Sequence, residues 1–145
     1  MRAIPARPKK ELEVRSDPAG DGAFGAPRGG KPDGHRGTDF LVGVGDEVLS
    51  PCVGTITKLG QCYANTPTWR YVQITDRSGL HHRVFYIEPR GHIGKKVNLD
   101  TVIGIAMDIS NRYPDQGMLP HIHYEIKKGQ EYLDPSSFKD KGVTG

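Results

Sequence analysis

Apolar and polar side chains alternate with a period of two along Leu119-Pro120-His121-Ile122-His123-Tyr124-Glu125-Ile126, and that alternation constrains the chain more than any other stretch. Successive side chains of a strand point to opposite faces, so His121, His123 and Glu125 share one face and Ile122, Tyr124 and Ile126 the other. The apolar face needs a core. The opposite face carries two imidazoles and a carboxylate on the wet side of a half-buried strand, which can do chemistry or can be a surface strand that holds histidine by chance.

A second cluster favours chemistry. Pro32-Asp33-Gly34-His35-Arg36-Gly37-Thr38-Asp39-Phe40 sets His35 and Asp39 four residues apart. That spacing would suit one face of a helix, but the neighbouring Gly and Pro residues argue for extended chain, in which His35, Gly37 and Asp39 share a face. Gly37, without a Cβ, permits a close approach to the backbone. Imidazole nitrogens and a carboxylate oxygen from two separated segments suit Zn²⁺ with three protein ligands and a fourth position for water.

His-x-Gly-x-Asp followed far downstream by Pro-His-x-His-Tyr-Glu resembles the lysostaphin-type (M23, LytM) zinc peptidases, which cut peptide cross-links of bacterial peptidoglycan. The resemblance runs from about Gly29 to Phe138 and takes in Gly45-Asp46-Glu47-Val48-Leu49-Ser50-Pro51, Val53-Gly54-Thr55-Ile56, Tyr71-Val72-Gln73-Ile74, Ile103-Gly104-Ile105-Ala106 and Asp134-Pro135. It implies an all-β single domain built on an antiparallel β-sheet with groove-forming loops. It also implies Zn²⁺ on His35, Asp39 and His123, with His121 as the catalytic imidazole beside the open position and Glu125 orienting a ligand imidazole from behind. Peptidoglycan stem or cross-bridge peptides are the implied partner. Tyr63 and Trp69 in the loop expected at 61–70, and Tyr113 in the loop before the His strand, are candidates for substrate contact.

One position departs from the pattern. Where active relatives carry Tyr-x-His, with a second catalytic imidazole, this chain has Tyr86-Ile87-Glu88-Pro89, so Glu88 is expected in that place. His82 has the same strand parity but stands six residues away, about 20 Å along an extended strand. Glu88 could act as a base, yet it cannot donate a hydrogen bond to an oxyanion, and loss of such a donor costs about 10²- to 10³-fold in rate. The expectation is a zinc murein endopeptidase of reduced activity; the alternative is a zinc-stabilised structural or wall-binding module without turnover. The Phe85-Tyr86-Ile87-x-Pro89 string resembles the vertebrate leukocyte chemotaxin branch, which implies that the fold can keep its metal after losing catalysis.

The 145 residues allow one domain with a real core, and 19 Gly and 11 Pro without a long helix-period segment point to many short strands. No stretch is apolar for long enough to span a bilayer. Residues 1–15 hold five basic and two acidic side chains, whereas the remaining 130 hold fifteen of each sign, so the whole excess of +3 sits on the N-terminal arm. The expected division is a basic Pro/Gly-rich arm at 1–28 and an M23-like β-sheet domain at 29–145. The arm is expected to dock on a protein partner or on the domain itself; nucleic acid is not expected. Met1 to Gly30 shows no apolar run of a secretory signal. Cytoplasmic synthesis and delivery in a phage virion, on its tail or baseplate, to the bacterial cell wall is the matching expectation. Cys52 and Cys62 bracket a strand-like segment too long for a disulfide, whose Cα atoms lie within roughly 7 Å, and both are expected as free thiols.

Overall fold

The computed structural model describes residues 3–5, 14–26 and 34–135. Gly29, Phe138 and much of the expected arm lie outside the described residues. The strands are β1 (Ala3–Pro5), β2 (Ser16–Asp17), β3 (Gly20–Asp21), β4 (Thr38–Leu41), β5 (Glu47–Leu49), β6 (Gly54–Tyr63), β7 (Thr66–Asp76), β8 (His81–Phe85), β9 (Ile87–Pro89), β10 (Lys96–Val97), β11 (Val102–Ala106), β12 (His121–Lys128) and β13 (Glu131–Leu133). A 3₁₀ turn spans Ile109–Arg112, and no helix among the described residues is long and apolar enough to cross a membrane. The all-β expectation holds.

A seven-stranded sheet runs β10-β6-β7-β8-β12-β13, with β4 also on β12; a four-stranded sheet runs β1-β5-β11-β9. The His strand β12 is the hub of the larger sheet. Its one edge takes β8, and its other edge takes β4 along residues 121–124 and β13 along 126–128. Ile122, Tyr124 and Ile126 pack with Val72, Ile74 and Val84 in a core that solvent does not reach. The opposite face is covered too: His121, His123 and Glu125 are only 3%, 8% and 5% exposed. The half-buried strand expected from alternation is therefore buried on both faces, because loops and the N-terminal segment close over its polar side.

Three expectations change. The resemblance implies one antiparallel sheet, but Glu47–Leu49 and Gly54–Tyr63 lie in different sheets. The loop expected at 61–70 is a tight hairpin, with Asn65 in the left-handed region at φ 65°, which short polar side chains tolerate. The strand expected at 82–88 breaks at Tyr86, whose φ is 72°. Up to that break, Arg83 and Phe85 stand opposite Glu125 and His123, so the odd residues of β8 face the polar side. His82 therefore does not have the parity expected of it. It is fully buried, bonded to Asp76 Oδ2 and the Tyr124 hydroxyl at 2.8 Å each.

The described parts of the N-terminal arm rest on the domain itself. β1 pairs in parallel with β5, Val14 bridges to Phe40, and β2 and β3 form a small hairpin. Cys52 is buried and Cys62 half-buried, and neither is in a disulfide.

Candidate metal centre

β4 lies antiparallel to β12 with Asp39 directly opposite His123. The chain can come this close because residue 37 is glycine: a Cβ there would meet the Tyr124 carbonyl oxygen and lie 2.9 Å from His123 Cε1. His35 precedes the strand rather than belonging to it. Its amide donates to the Ala26 carbonyl at 2.8 Å, and its carbonyl accepts from Gly25 N–H at 2.8 Å. These restraints bring ligand atoms of His35, Asp39 and His123 within 4.8 Å of one another.

The donor set fits a cation. His35 Nδ1 lies 3.2 Å from the Ala23 carbonyl and His123 Nε2 lies 2.9 Å from Glu125 Oε1. Both partners are acceptors, so each outward nitrogen carries the proton and each inward nitrogen presents a lone pair. The inward atoms, His35 Nε2 and His123 Nδ1, stand 3.0 Å apart, with Asp39 Oδ1 2.9 Å from the latter. Three acceptors facing one another need a positive centre between them. Without a metal, a proton fills that need: although burial opposes it, the Asp39 and Glu125 carboxylates hold the His123 imidazolium up to about 9. Burial likewise opposes ionisation of Asp39, but hydrogen bonds from His123 and His35 hold its carboxyl well below the usual carboxylate range. Two imidazole nitrogens and one carboxylate oxygen form a set that suits Zn²⁺.

Around this set stand residues of unequal legibility. Glu125 lies where the sequence put it, behind His123, with Arg83 Nη1 3.5 Å from its other oxygen. His121 points to the same centre: its Nδ1 lies 2.9 Å from the Leu119 carbonyl, which leaves Nε2 unprotonated 3.5 Å from Asp39 Oδ2. Burial pushes the His121 imidazolium below its ordinary value, so the ring is neutral at neutral pH.

Glu88 is not in the site. It sits on β9 opposite Ile105 in the other sheet, its side chain 65% exposed beside Arg90. The residue delivered to the site is Tyr86, whose ring stands edge-on to His121 with centroids 5.5 Å apart. The reason is the left-handed turn of the backbone at Tyr86, which breaks alternation, sends Ile87 into the core and leaves Glu88 outside. The run Val84-Phe85-Tyr86-Ile87 carried the signal, since four bulky residues in a row cannot all obey a period of two. Arg15 and Ala23 were also missed, because their segment read as arm.

His35, Asp39, His121, His123 and Tyr86 line a cavity of about 570 Å³ together with Tyr63 and Tyr113. The Tyr63 and Tyr113 hydroxyls are 2.7 Å apart, and the Tyr63 hydroxyl donates to that of Tyr86 at 3.4 Å. Trp69 lies on β7 and does not line the cavity.

The family model for Peptidase family M23 matches residues 33–135. The chain belongs to peptidase family M23. Among solved structures, this M23 domain is similar to the catalytic domain of the prophage-encoded M23 protein EnpA from Enterococcus faecalis (18% identity, 93% of this chain and 96% of that one, TM-score 0.64). It is similar to the catalytic domain of lysostaphin from Staphylococcus simulans (19% identity, 78% and 85%, TM-score 0.60). It is also similar to a zinc-containing peptidase from Vibrio cholerae (22% identity, 92% and 39%, TM-score 0.63). At these identities the likeness is one of fold. Comparison with curated proteins gave no significant match.

Proposed function

We propose that this M23 domain is a zinc-dependent endopeptidase acting on the stem or cross-bridge peptides of peptidoglycan. The observation that carries the reading is the convergence of His35, Asp39 and His123 on one point in the lining of the cavity, with a neutral His121 beside them. Bound there, zinc would supply a water of pKa about 7 and would polarise a peptide carbonyl.

The chain's own residues supply the rest. His121 Nε2 holds a free lone pair, so it can take a proton from the nucleophilic water and return it to the leaving amine. Tyr86 takes the role first expected of Glu88, with different chemistry. Burial and the neighbouring Tyr63 raise its phenol well above the ordinary value, so it stays a neutral donor. A neutral donor stabilises a developing oxyanion where a carboxylate would repel it. Tyr63 and Tyr113 line the groove and offer aromatic faces to a peptide.

A second reading rests on the same tyrosine. A phenol is a far weaker acid–base partner than an imidazole, which favours a metal-stabilised wall-binding module without turnover. Incubation of the purified chain with cross-linked murein, with and without chelator, separates the two. Chelator-sensitive release of muropeptides is expected; no such product at high protein concentration overturns the peptidase reading. The setting we propose is a phage virion acting at the bacterial wall, and the likeness to prophage-encoded EnpA supports it. Detection of the chain in purified virions is expected, and its absence from them removes that setting.

A further inference from the structure

We propose that residues 14–26 are a working part of the metal centre, and that Arg15 is the positioning residue that fixes how Asp39 presents its oxygens. The inference rests on the metal-binding part of the function above, and it reaches upstream of the matched family region, which begins at 33.

Arg15 is a buried guanidinium, only 3% exposed, in a segment that reads from sequence as a basic arm. Its Nε lies 3.2 Å from Asp39 Oδ2, and its Nη1 donates to Asp17 Oδ1 at 2.8 Å. The other Asp39 oxygen, Oδ1, is the one that faces His123 and His35. With Oδ2 held by the guanidinium, the oxygen that Asp39 presents to the two imidazoles is Oδ1. Placing a guanidinium so near a divalent cation is electrostatically unfavourable unless the carboxylate lies between them. Asp39 would lie between them, with Oδ2 toward Arg15 and Oδ1 toward the two imidazoles.

The backbone makes the same connection. Arg15 N–H donates to the Asp39 carbonyl at 2.9 Å, Asp39 N–H donates to the Gly22 carbonyl at 2.8 Å, and Gly22 N–H donates to the Arg15 carbonyl at 2.7 Å. A Cβ on Gly22 would stand 2.8 Å from Asp39 Cβ and 2.9 Å from Arg15 Cβ, so the segment packs straight onto the ligand residue. One residue further, the Ala23 carbonyl fixes the tautomer of His35. Asp17 reaches the other side of the groove, where its Oδ2 accepts from Leu119 N–H at 2.9 Å, just ahead of His121. One short strap thus touches the first His ligand, the Asp ligand and the approach to the catalytic imidazole. Partners behind metal ligands typically contribute 10- to 100-fold in affinity.

The test uses the full chain and R15M, R15K and D17N, with zinc affinity measured by chelator competition at fixed pH. Cobalt substitution adds a readout of coordination geometry, and the melting temperature of each metal-free variant is taken alongside. R15M is expected to lose 10- to 100-fold in zinc affinity and to change the cobalt visible spectrum. R15K, with a single ammonium nitrogen instead of a planar fork, is expected to fall between R15M and the native chain. D17N has a single oxygen for the Arg15 and Leu119 donors, so it loosens the guanidinium while leaving the Arg15–Asp39 contact, and its affinity should fall less than that of R15M. Native zinc affinity with an unchanged cobalt spectrum in R15M overturns the inference. If R15M does not fold, the same result in R15K overturns it. A native chain that binds no zinc would instead sink the metal-centre reading itself, which keeps the two failures apart.

Discussion

At the scale of single residues, the site is a problem of facing lone pairs. His35 and His123 each spend their outward N–H on an acceptor, and the inward nitrogens then need a cation or a proton. The pH behaviour of the metal-free chain follows. The His123 imidazolium is raised from 6.5 to about 9, so its contribution to stability is fully present below pH 6.5 and is lost as the pH rises through about 9. His121 is shifted the other way and acts only below 6.5, so the alkaline limb reports His123. Melting temperatures of chelator-treated protein should therefore fall steadily between pH 6.5 and 9. With zinc bound, the metal replaces that proton, and the fall should vanish or reverse. Tyr86 and Glu88 give a sharper contrast. Tyr86→Phe removes the phenol donor and should lower murein cleavage by about 10²- to 10³-fold with metal content unchanged. Glu88→His places an imidazole on an exposed strand of the other sheet and should leave the rate within about two-fold of the native one, since surface changes distant from a site rarely matter.

At the scale of elements, β12 works because both its edges and both its faces are engaged. β8 and β4 fix its register from either side, and register decides which side chains reach the metal, since a one-residue slip would exchange His121, His123 and Glu125 for Ile122, Tyr124 and Ile126. The contact between β4 and β12 depends on Gly37. Gly37→Ala forces a methyl group against the Tyr124 carbonyl and the His123 ring, a crowding that typically costs about 1–3 kcal/mol. It should lower the melting temperature and weaken zinc binding together, measurable by thermal denaturation and chelator competition. Glu125→Gln keeps the shape but exchanges an anionic acceptor for a neutral one behind His123. Zinc affinity is expected to fall by about 10- to 100-fold while β12 stays in place, as competition titration and circular dichroism would report.

At the scale of the whole molecule, the candidate metal centre is where three distant parts of the chain meet: the strap at 14–26, the His35–Asp39 segment and β12. Folding and metal binding are therefore coupled, because the unfolded chain has no preformed site. Zinc should raise the melting temperature in proportion to the logarithm of its free concentration. A chain begun at residue 27 loses the acceptor of His35 and the cation on Asp39. It should bind zinc more weakly than the full chain in chelator competition, although the whole region matched by the family model is retained.

What the sequence determined by itself is the chemistry that depends on spacing alone. Alternation in 119–126 set His121, His123 and Glu125 on one face; the His35-x-Gly37-x-Asp39 pattern supplied the other candidate ligands; and short strands between Gly and Pro turns made the fold all-β. What only the tertiary structure decided is whatever hangs on a single backbone dihedral or on where a distant segment docks. The left-handed turn at Tyr86 exchanged Glu88 for a phenol in the site, and the folding back of residues 14–26 turned Arg15 from an arm charge into a clamp on Asp39. Periodicity holds only while the backbone stays regular, and net charge says nothing of which charge will be buried against which ligand.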